Sequence, residues 1–324
     1  MGFPDVLRFS ALSGPLADIR RDLTQSSTEL VTGRKQELGK VLGAQSGDYS
    51  LVAKALADAE TSRDRLTLAG NRLSAISIPL KQIREELNSF ATQAQTLLIN
   101  DGFAESTTVQ DAQSQIRQIL TGLNTSFAGR NLFSGDAVDR AALASADDFF
   151  AAIDVALVGA TDEASTDAAI TAFFAPGGEF DTSIYQGGAG EAASVQLPTG
   201  GNIDFSIKAD DEAVRTALEG LVRVAYAPDD ASPDFALNGI DQIRQAETRL
   251  IALESNVGRQ QNIIDNTLEA VEQEKTILEL TEDSYAGVDA FEAANRVQTL
   301  ELQLQTAYTV TSRLSRLTLT NFIR

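Results

Sequence analysis

The sequence predicts a mainly α-helical chain, in which long antiparallel coiled-coil helices from both chain ends build a rod and a mixed α/β lobe is inserted between them. Three observations predict it. Apolar residues repeat at heptad spacing over both chain ends, the repeat is cleanest in two interior stretches, and the middle of the chain loses it. A narrow apolar seam buries itself only against another helix, so the two ends must pair with each other or with other chains.

Taken in order, the first helix is expected over about Val6–Lys35, with Phe9, Leu12, Leu16, Ile19, Leu23, Ser26 and Leu30 on its seam. Gly39, Gly43 and Gly47 interrupt the pattern and predict a break. A longer helix starts near Tyr49 and carries Leu66, Ala69, Leu73, Ile76, Leu80, Ile83, Leu87, Phe90, Ala94 and Leu97 at successive a and d positions. Pro79 removes a backbone donor inside it and predicts a kink near Ser77–Leu80, and Asn100-Asp101-Gly102 ends it. A third helix places Val109, Ala112, Ile116, Ile119, Leu123 and Phe127 on one face and stops at Gly129.

From about Asp136 to Pro233 the helical period fades and glycine-rich turns appear. Short helices are expected at Ala146–Val158, Thr166–Phe174 and Asp211–Val224, and a β-hairpin from Ser194–Leu197 and Asn202–Ile207. The helical signal returns near Asn238, where Ile243, Leu250, Val257, Ile264, Val271, Leu278 and Tyr285 recur every seventh residue. Gly287 marks a joint. The last helix carries Val297, Leu300, Leu304, Ala307, Thr311, Leu314 and Thr318, and runs almost to Phe322 and Ile323. The first and last helices each span about 45 Å at a helical rise per residue, and that match supports their pairing. The expected division is 1–45 with 286–324 as a terminal coiled-coil domain, 46–135 with 236–285 as a helical layer, and 136–235 as the inserted lobe.

At 324 residues the chain is long enough for two or three domains. A net charge of −20 argues against nucleic-acid binding, which needs clustered Lys and Arg, and against anionic membranes. The absence of Cys and His excludes thiol and imidazole catalysis and zinc sites built on those ligands. No cofactor is expected. The start, Met1-Gly2-Phe3-Pro4, has neither a basic region nor an apolar core of a cleavable signal, and no stretch is long and apolar enough to span a membrane. An enzyme would have to use the carboxylates Asp147-Asp148, Asp210-Asp211-Glu212 or Asp229-Asp230, but each sits at a helix start or turn, where capping accounts for it. Gly187-Gly188-Ala189-Gly190 lacks the Lys-Ser/Thr of a phosphate loop and reads as a link. No catalytic or metal residue is assigned.

Four stretches resemble the flagellin superfamily. Leu30-Val31-Thr32-Gly33-Arg34-Lys35 is similar to the flagellin-type end of the first helix. The stretch Asn124-Thr125-Ser126-Phe127-Ala128-Gly129-Arg130-Asn131-Leu132-Phe133-Ser134-Gly135 resembles the Asn-Thr-x-Phe-x-Gly-Arg-Tyr-Leu-Phe-Ser-Gly pattern of the superfamily's hook–filament junction branch. Tyr185-Gln186-Gly187-Gly188 resembles the lead into that branch's β lobe, and the ending from Tyr308 through Arg313, Leu314 and Ser315 to Phe322 is similar to its terminus. One departure is local: Gly39–Ser50 holds Asp48 and no proline where the family carries Asp-Asp-Pro.

The resemblance implies a non-enzymatic structural subunit of the bacterial flagellum, joining the hook to the filament. Its implied partners are further copies of itself in a ring, hook-associated protein 1, flagellin and an export chaperone. It would be extracellular, leaving through the type III export apparatus without a cleaved signal. On this reading the terminal seams form the assembly interface (Phe9, Leu12, Leu16, Ile19, Leu23, Leu30, Val297, Leu300, Leu304, Ala307, Leu314 and Phe322), and Asn124, Phe127, Gly129, Arg130, Leu132, Phe133 and Gly135 form the family motif. Flagellin itself, or a non-flagellar secreted coiled-coil protein, are the alternatives.

Overall fold

A computed structural model describes residues 4–100, 105–198, 200–228 and 231–322. The chain is mainly α-helical, as the heptads require. It forms two compact units, one from Met1–Thr61 with Glu272–Arg324 and one from Ser62–Val271. Among the described residues no helix is long and apolar enough to cross a membrane.

In the first unit, α1 (Pro4–Thr32) ends where Gly33 takes a positive φ of 69° and donates its N–H to the Glu29 carbonyl. A β-carbon disfavours that conformation, which is why a Thr-Gly pair stops the helix. The expected break follows as a short helix, α2 (Leu38–Leu42), and a 3₁₀ turn (Gly43–Gln45). The long helix α3 (Ser46–Asn100) begins slightly before Tyr49 and gives its residues up to 61 to this unit. The unit's remaining helices are the end of α8 (Pro233–Ala286) and α9 (Ala290–Phe322), separated by the predicted joint at Gly287. Lys275 of α8 pairs with Glu60 of α3 at 3.7 Å.

The second unit holds most of the buried apolar surface. Of the ten heptad positions expected on α3, Leu66 through Ala94 are buried and Leu97 is half-buried. They face α8, where Ile243, Leu250, Val257, Ile264 and Val271 are buried as well. Arg84 bonds Glu254 at 2.8 Å and Arg244 bonds Gln95 at 2.6 Å. Residue numbers fall on one helix as they rise on the other, so the pair is antiparallel. At the expected site of the kink α3 remains helical through Pro79, which is buried. A β-carbon at Gly122 of the neighbouring α4 (Glu105–Leu123) would stand 3.9 Å from the Pro79 side chain, so the ring is packed rather than disruptive.

α4 is shorter than expected. It stops at Leu123, and Phe127 lies instead on β1 (Ser126–Phe127), paired with β2 (Arg130–Asn131). Asn-Thr-Ser offers the chain a turn, and Ala128 and Gly129 both take positive φ (51° and 76°), which two-residue hairpins require. Within the lobe, α5 (Ala146–Ala156), α6 (Glu163–Phe174) and α7 (Glu212–Ala225) fall where the sequence puts them. The hairpin of β3 (Ala192–Gln196) and β4 (Asn202–Phe205) does too. Phe149, Phe173, Phe174 and Phe180 pack ring on ring beneath α5 and α6.

α7 crosses α8 at two glycines. A β-carbon on Gly220 would stand 2.6 Å from the Gly239 carbonyl oxygen, and one on Gly239 would stand 2.8 Å from that of Gly220. The backbones therefore touch. Beside the crossing, the buried Arg223 is held by Glu219, Asp167, Thr171 and Gln242. Gly239→Val should destabilise the second unit by about 1–3 kcal/mol or more through overpacking. Gly258→Ala, whose β-carbon meets open space, should be neutral or stabilise by about 0.5–1 kcal/mol. Urea unfolding of the two variants checks both signs.

Candidate assembly interface

α1 and α9 pack on each other within a single chain. The pair is antiparallel: Arg20 meets Tyr308 at one level, and Gly33–Lys35 meets Ala286–Val288 at another. The expected seam is the contact line. On α9, Val297, Leu300, Leu304, Ala307 and Thr311 are half-buried, whereas from residue 295 to 310 every other side chain is exposed. On α1, Leu16, Ile19, Leu23 and Leu30 are half-buried, and Ser26 is buried to 2% exposure, so a small residue marks a close approach. The side chains of Phe9, Leu12, Leu314 and Phe322 lie outside the described residues. Arg20 stacks on the Tyr308 ring with its guanidinium carbon 5.3 Å from the centroid, and its Nε donates to Tyr308 Oη at 2.8 Å.

The apolar line is incomplete by itself. Two helices crossing along one stripe cover only part of each side chain, unlike the α3–α8 seam, where further helices close the sides. Large apolar residues stay bare on the same unit: Val31, Phe291 and Leu302 are 86%, 78% and 65% exposed. Such residues on several elements of one unit are what a surface awaiting other molecules presents.

The joint between α8 and α9 is pinned to the end of α1 by main chain and charge. Lys35 N–H donates to the Ala286 carbonyl at 2.8 Å, and Val288 N–H to the Gly33 carbonyl at 2.9 Å. Arg34 makes two parallel bonds to the buried carboxylate of Glu282, at 3.2 and 2.9 Å, and Tyr49 Oη donates to it as well. The Glu282 hydrogen bonds, and then its charge, raise Arg34 above the ordinary arginine value. Burial first, then the Glu282 charge, pushes the Tyr49 phenol up. The Thr-Gly-Arg-Lys stretch is thus a latch. Sequence reading found it only as a motif, because Glu282 lies 248 residues away.

The second motif organises the root of the lobe. Asn124 Nδ2 donates to the Leu143 carbonyl at 3.0 Å, and its Oδ1 accepts the Leu143 N–H at 2.9 Å. Leu132 and Phe133 are buried, Phe127 is half-buried, and Gly129 and Arg130 are exposed. Gly135 is needed for closeness: a β-carbon there would stand 2.5 Å from the Gly190 carbonyl oxygen. The glycine run is likewise structural. Gly188 N–H donates to Ser134, Asp136 N–H to Gly190, and Gln186 N–H to Ala142, while Tyr185 Oη donates to Gly188. It forms a strap on the motif.

The described carboxylates considered for chemistry cap a helix, bond a capping residue or pair with a neighbouring cation. Asp211 accepts the Ala213 N–H at 2.9 Å, Asp148 accepts the Ser145 hydroxyl at 2.6 Å, and Asp147 is an exposed partner of Arg117. Asp210 pairs with Lys208, and Asp229 and Asp230 lie outside the described residues. Asn124→Ala should cost about 1–3 kcal/mol, because it strands both polar groups of Leu143. Thermal unfolding should show the loss, while Arg130→Gln, on the exposed turn of the same motif, should leave the midpoint unchanged.

Residues 240–323 match the family model of the bacterial flagellin C-terminal helical region. No curated protein matches the chain. Among solved structures, Bacillus cereus FlgL is similar at 14% identity and a TM-score of 0.40, covering 73% of this chain and 96% of that one. A protein from Vibrio parahaemolyticus described as flagellar hook-associated is similar at 16% identity and a TM-score of 0.42, covering 76% of this chain and 95% of that one. The stretch that matches, residues 240–323, is the part of α8 from residue 240 onward together with α9, and it is this stretch that is similar to the flagellin C-terminal helical region.

Proposed function

We propose that this chain is a structural, non-enzymatic subunit of the bacterial flagellum, placed at the hook–filament junction. The observation that carries the reading is the half-covered seam between α1 and α9, in a chain whose C-terminal region is of flagellin type. The motif at 124–135, the strap at 185–188 and the ending resemble the junction branch of the superfamily, and they favour it over the filament subunit.

In this account the terminal helices assemble the structure. Phe9, Leu12, Leu16, Ile19, Leu23 and Leu30 on α1, with Val297, Leu300, Leu304, Ala307, Leu314 and Phe322 on α9, bury their remaining apolar surface against neighbouring copies, hook-associated protein 1 and flagellin. Each Å² removed from water contributes about 25 cal/mol, so completing a seam of this length offsets the ordering of two helices. Contacts that run head to tail and do not close on themselves extend a tube. The division into terminal helices, an inner helical layer and a lobe at 136–235 describes the roles: assembly, lateral packing and solvent-facing surface. Export unfolded, with a chaperone on the C-terminal helix, fits a subunit added at a distal tip.

Leu304 separates assembly from folding. Leu304→Asp should abolish hook–filament joining in a motility assay while lowering the melting midpoint of the purified chain by only a few degrees. Deleting Val297–Arg324 should leave a folded second unit that no longer retains filaments. Filament attachment by either variant contradicts the reading, and immunoelectron microscopy that finds the protein along the whole filament assigns it to flagellin instead.

A further inference from the structure

The end of α8 turns two large apolar side chains away from its own packed face. Val271, Glu282 and Ala286 are buried on that face, and Leu278 is half-buried. Ile277 and Leu280, three residues apart on the other side of the helix, are 63% and 68% exposed. Exposed carboxylates flank them at the same spacing: Glu274 stands three residues before Ile277, and Asp283 three after Leu280. From 272 to 283 the sequence holds five acidic residues against one lysine. An apolar pair set between carboxylates calls for an apolar surface that carries cations.

The same unit carries such a surface. Phe291, Leu302 and Arg313 on α9 stand eleven residues apart, three helical turns, and so share one face. It lies opposite the half-buried seam of Val297, Leu300, Leu304, Ala307 and Thr311, and all three of its residues are exposed. From 302 to 324 the sequence has three arginines and no acidic residue. Two other long stretches, 65–84 and 112–135, also carry cations without acids. There, however, Arg72 lies on Phe205, Lys81 and Arg84 pair with Glu85 and Glu254, and Arg117 pairs with Asp147.

We infer that the outer face of α9 in one copy docks on the outer face of the α8 end in a second copy, Leu302 against Ile277 and Leu280, with Arg313 beside the flanking carboxylates. Charge and apolar character match across the two faces, and within one chain both face water, so they meet only between copies. The two faces differ, which makes the contact head to tail: each copy offers α9 to one neighbour and α8 to another, and the series continues. The inference rests on the reading that copies of this chain assemble. It adds to the seam a second contact, made by the backs of the helices and drawn together by opposite charge.

The chain has no cysteine, so engineered ones report proximity without interference. Full-length, ¹⁵N-labelled Ile277→Cys is mixed with unlabelled full-length Leu302→Cys under conditions where the wild type self-associates, oxidised in air, and read by mass spectrometry. The expected result is a mixed-isotope disulfide in large excess over like ones, and over that formed with Val155→Cys, a site on the lobe that is 72% exposed. Arg313→Glu should weaken self-association about tenfold with an unchanged melting midpoint, and adding Glu274→Arg to the same chain should recover most of that loss. Unchanged association of Arg313→Glu, or no recovery in the exchanged pair, overturns the inference. So does a stronger disulfide from Ile277→Cys to Val31→Cys than to Leu302→Cys, since α1 then covers the face. If the wild type assembles and Ile277→Cys links to neither site, only this inference fails. If no assembly occurs under any condition, the proposed function fails with it.

Discussion

Partial burial of one apolar stripe governs this molecule. α1 and α9 meet along a seam that covers each side chain on one flank and leaves the other to water. A two-helix contact has no third element to close it, so its stability is limited by geometry rather than by residue choice. The latch at Arg34, Lys35 and Glu282 compensates locally, fixing the angle at which α9 leaves α8 while adding little apolar surface. The pair is thereby oriented without being saturated, which suits the assembly role proposed for these helices.

The second unit solves the opposite problem. Its α3–α8 seam is closed by α4 and α7, and the crossing of α7 over α8 at Gly220 and Gly239 brings the layers to backbone contact. The 124–135 motif then anchors the lobe: a hydrogen-bonded Asn124, a hairpin, two buried apolar residues and a glycine that admits the 185–190 strap. None of these residues is positioned for chemistry. Their arrangement explains why a glycine-rich run can look like a ligand loop and yet serve only to let chain segments approach.

Much of this was legible in the sequence because heptads report which face is covered. The seams at 66–97, 243–271 and 297–311 follow from period alone, as do the joint at Gly287 and the lobe's hairpin and helices. Misses arose where period says nothing. Phe127 keeps the helical spacing of α4 but belongs to the hairpin, because positive φ at Ala128 and Gly129 sets the chain direction there. Gly220 and Gly239 carry no sequence signal, and only the crossing shows why a side chain is forbidden there. The Arg34–Glu282 latch and the Arg223 network join residues far apart in sequence, and no local pattern announces such pairs.

The central claim is that the α1–α9 seam becomes fully covered only in the assembled state. Amide hydrogen exchange across residues 297–311, compared between the dispersed chain and purified assemblies, tests it most directly. The account predicts rapid exchange in the dispersed chain and protection higher by orders of magnitude in the assembly, with residues 243–264 slow in both. Equal, strong protection of 297–311 in both states would show the seam already complete in a single copy and would contradict it.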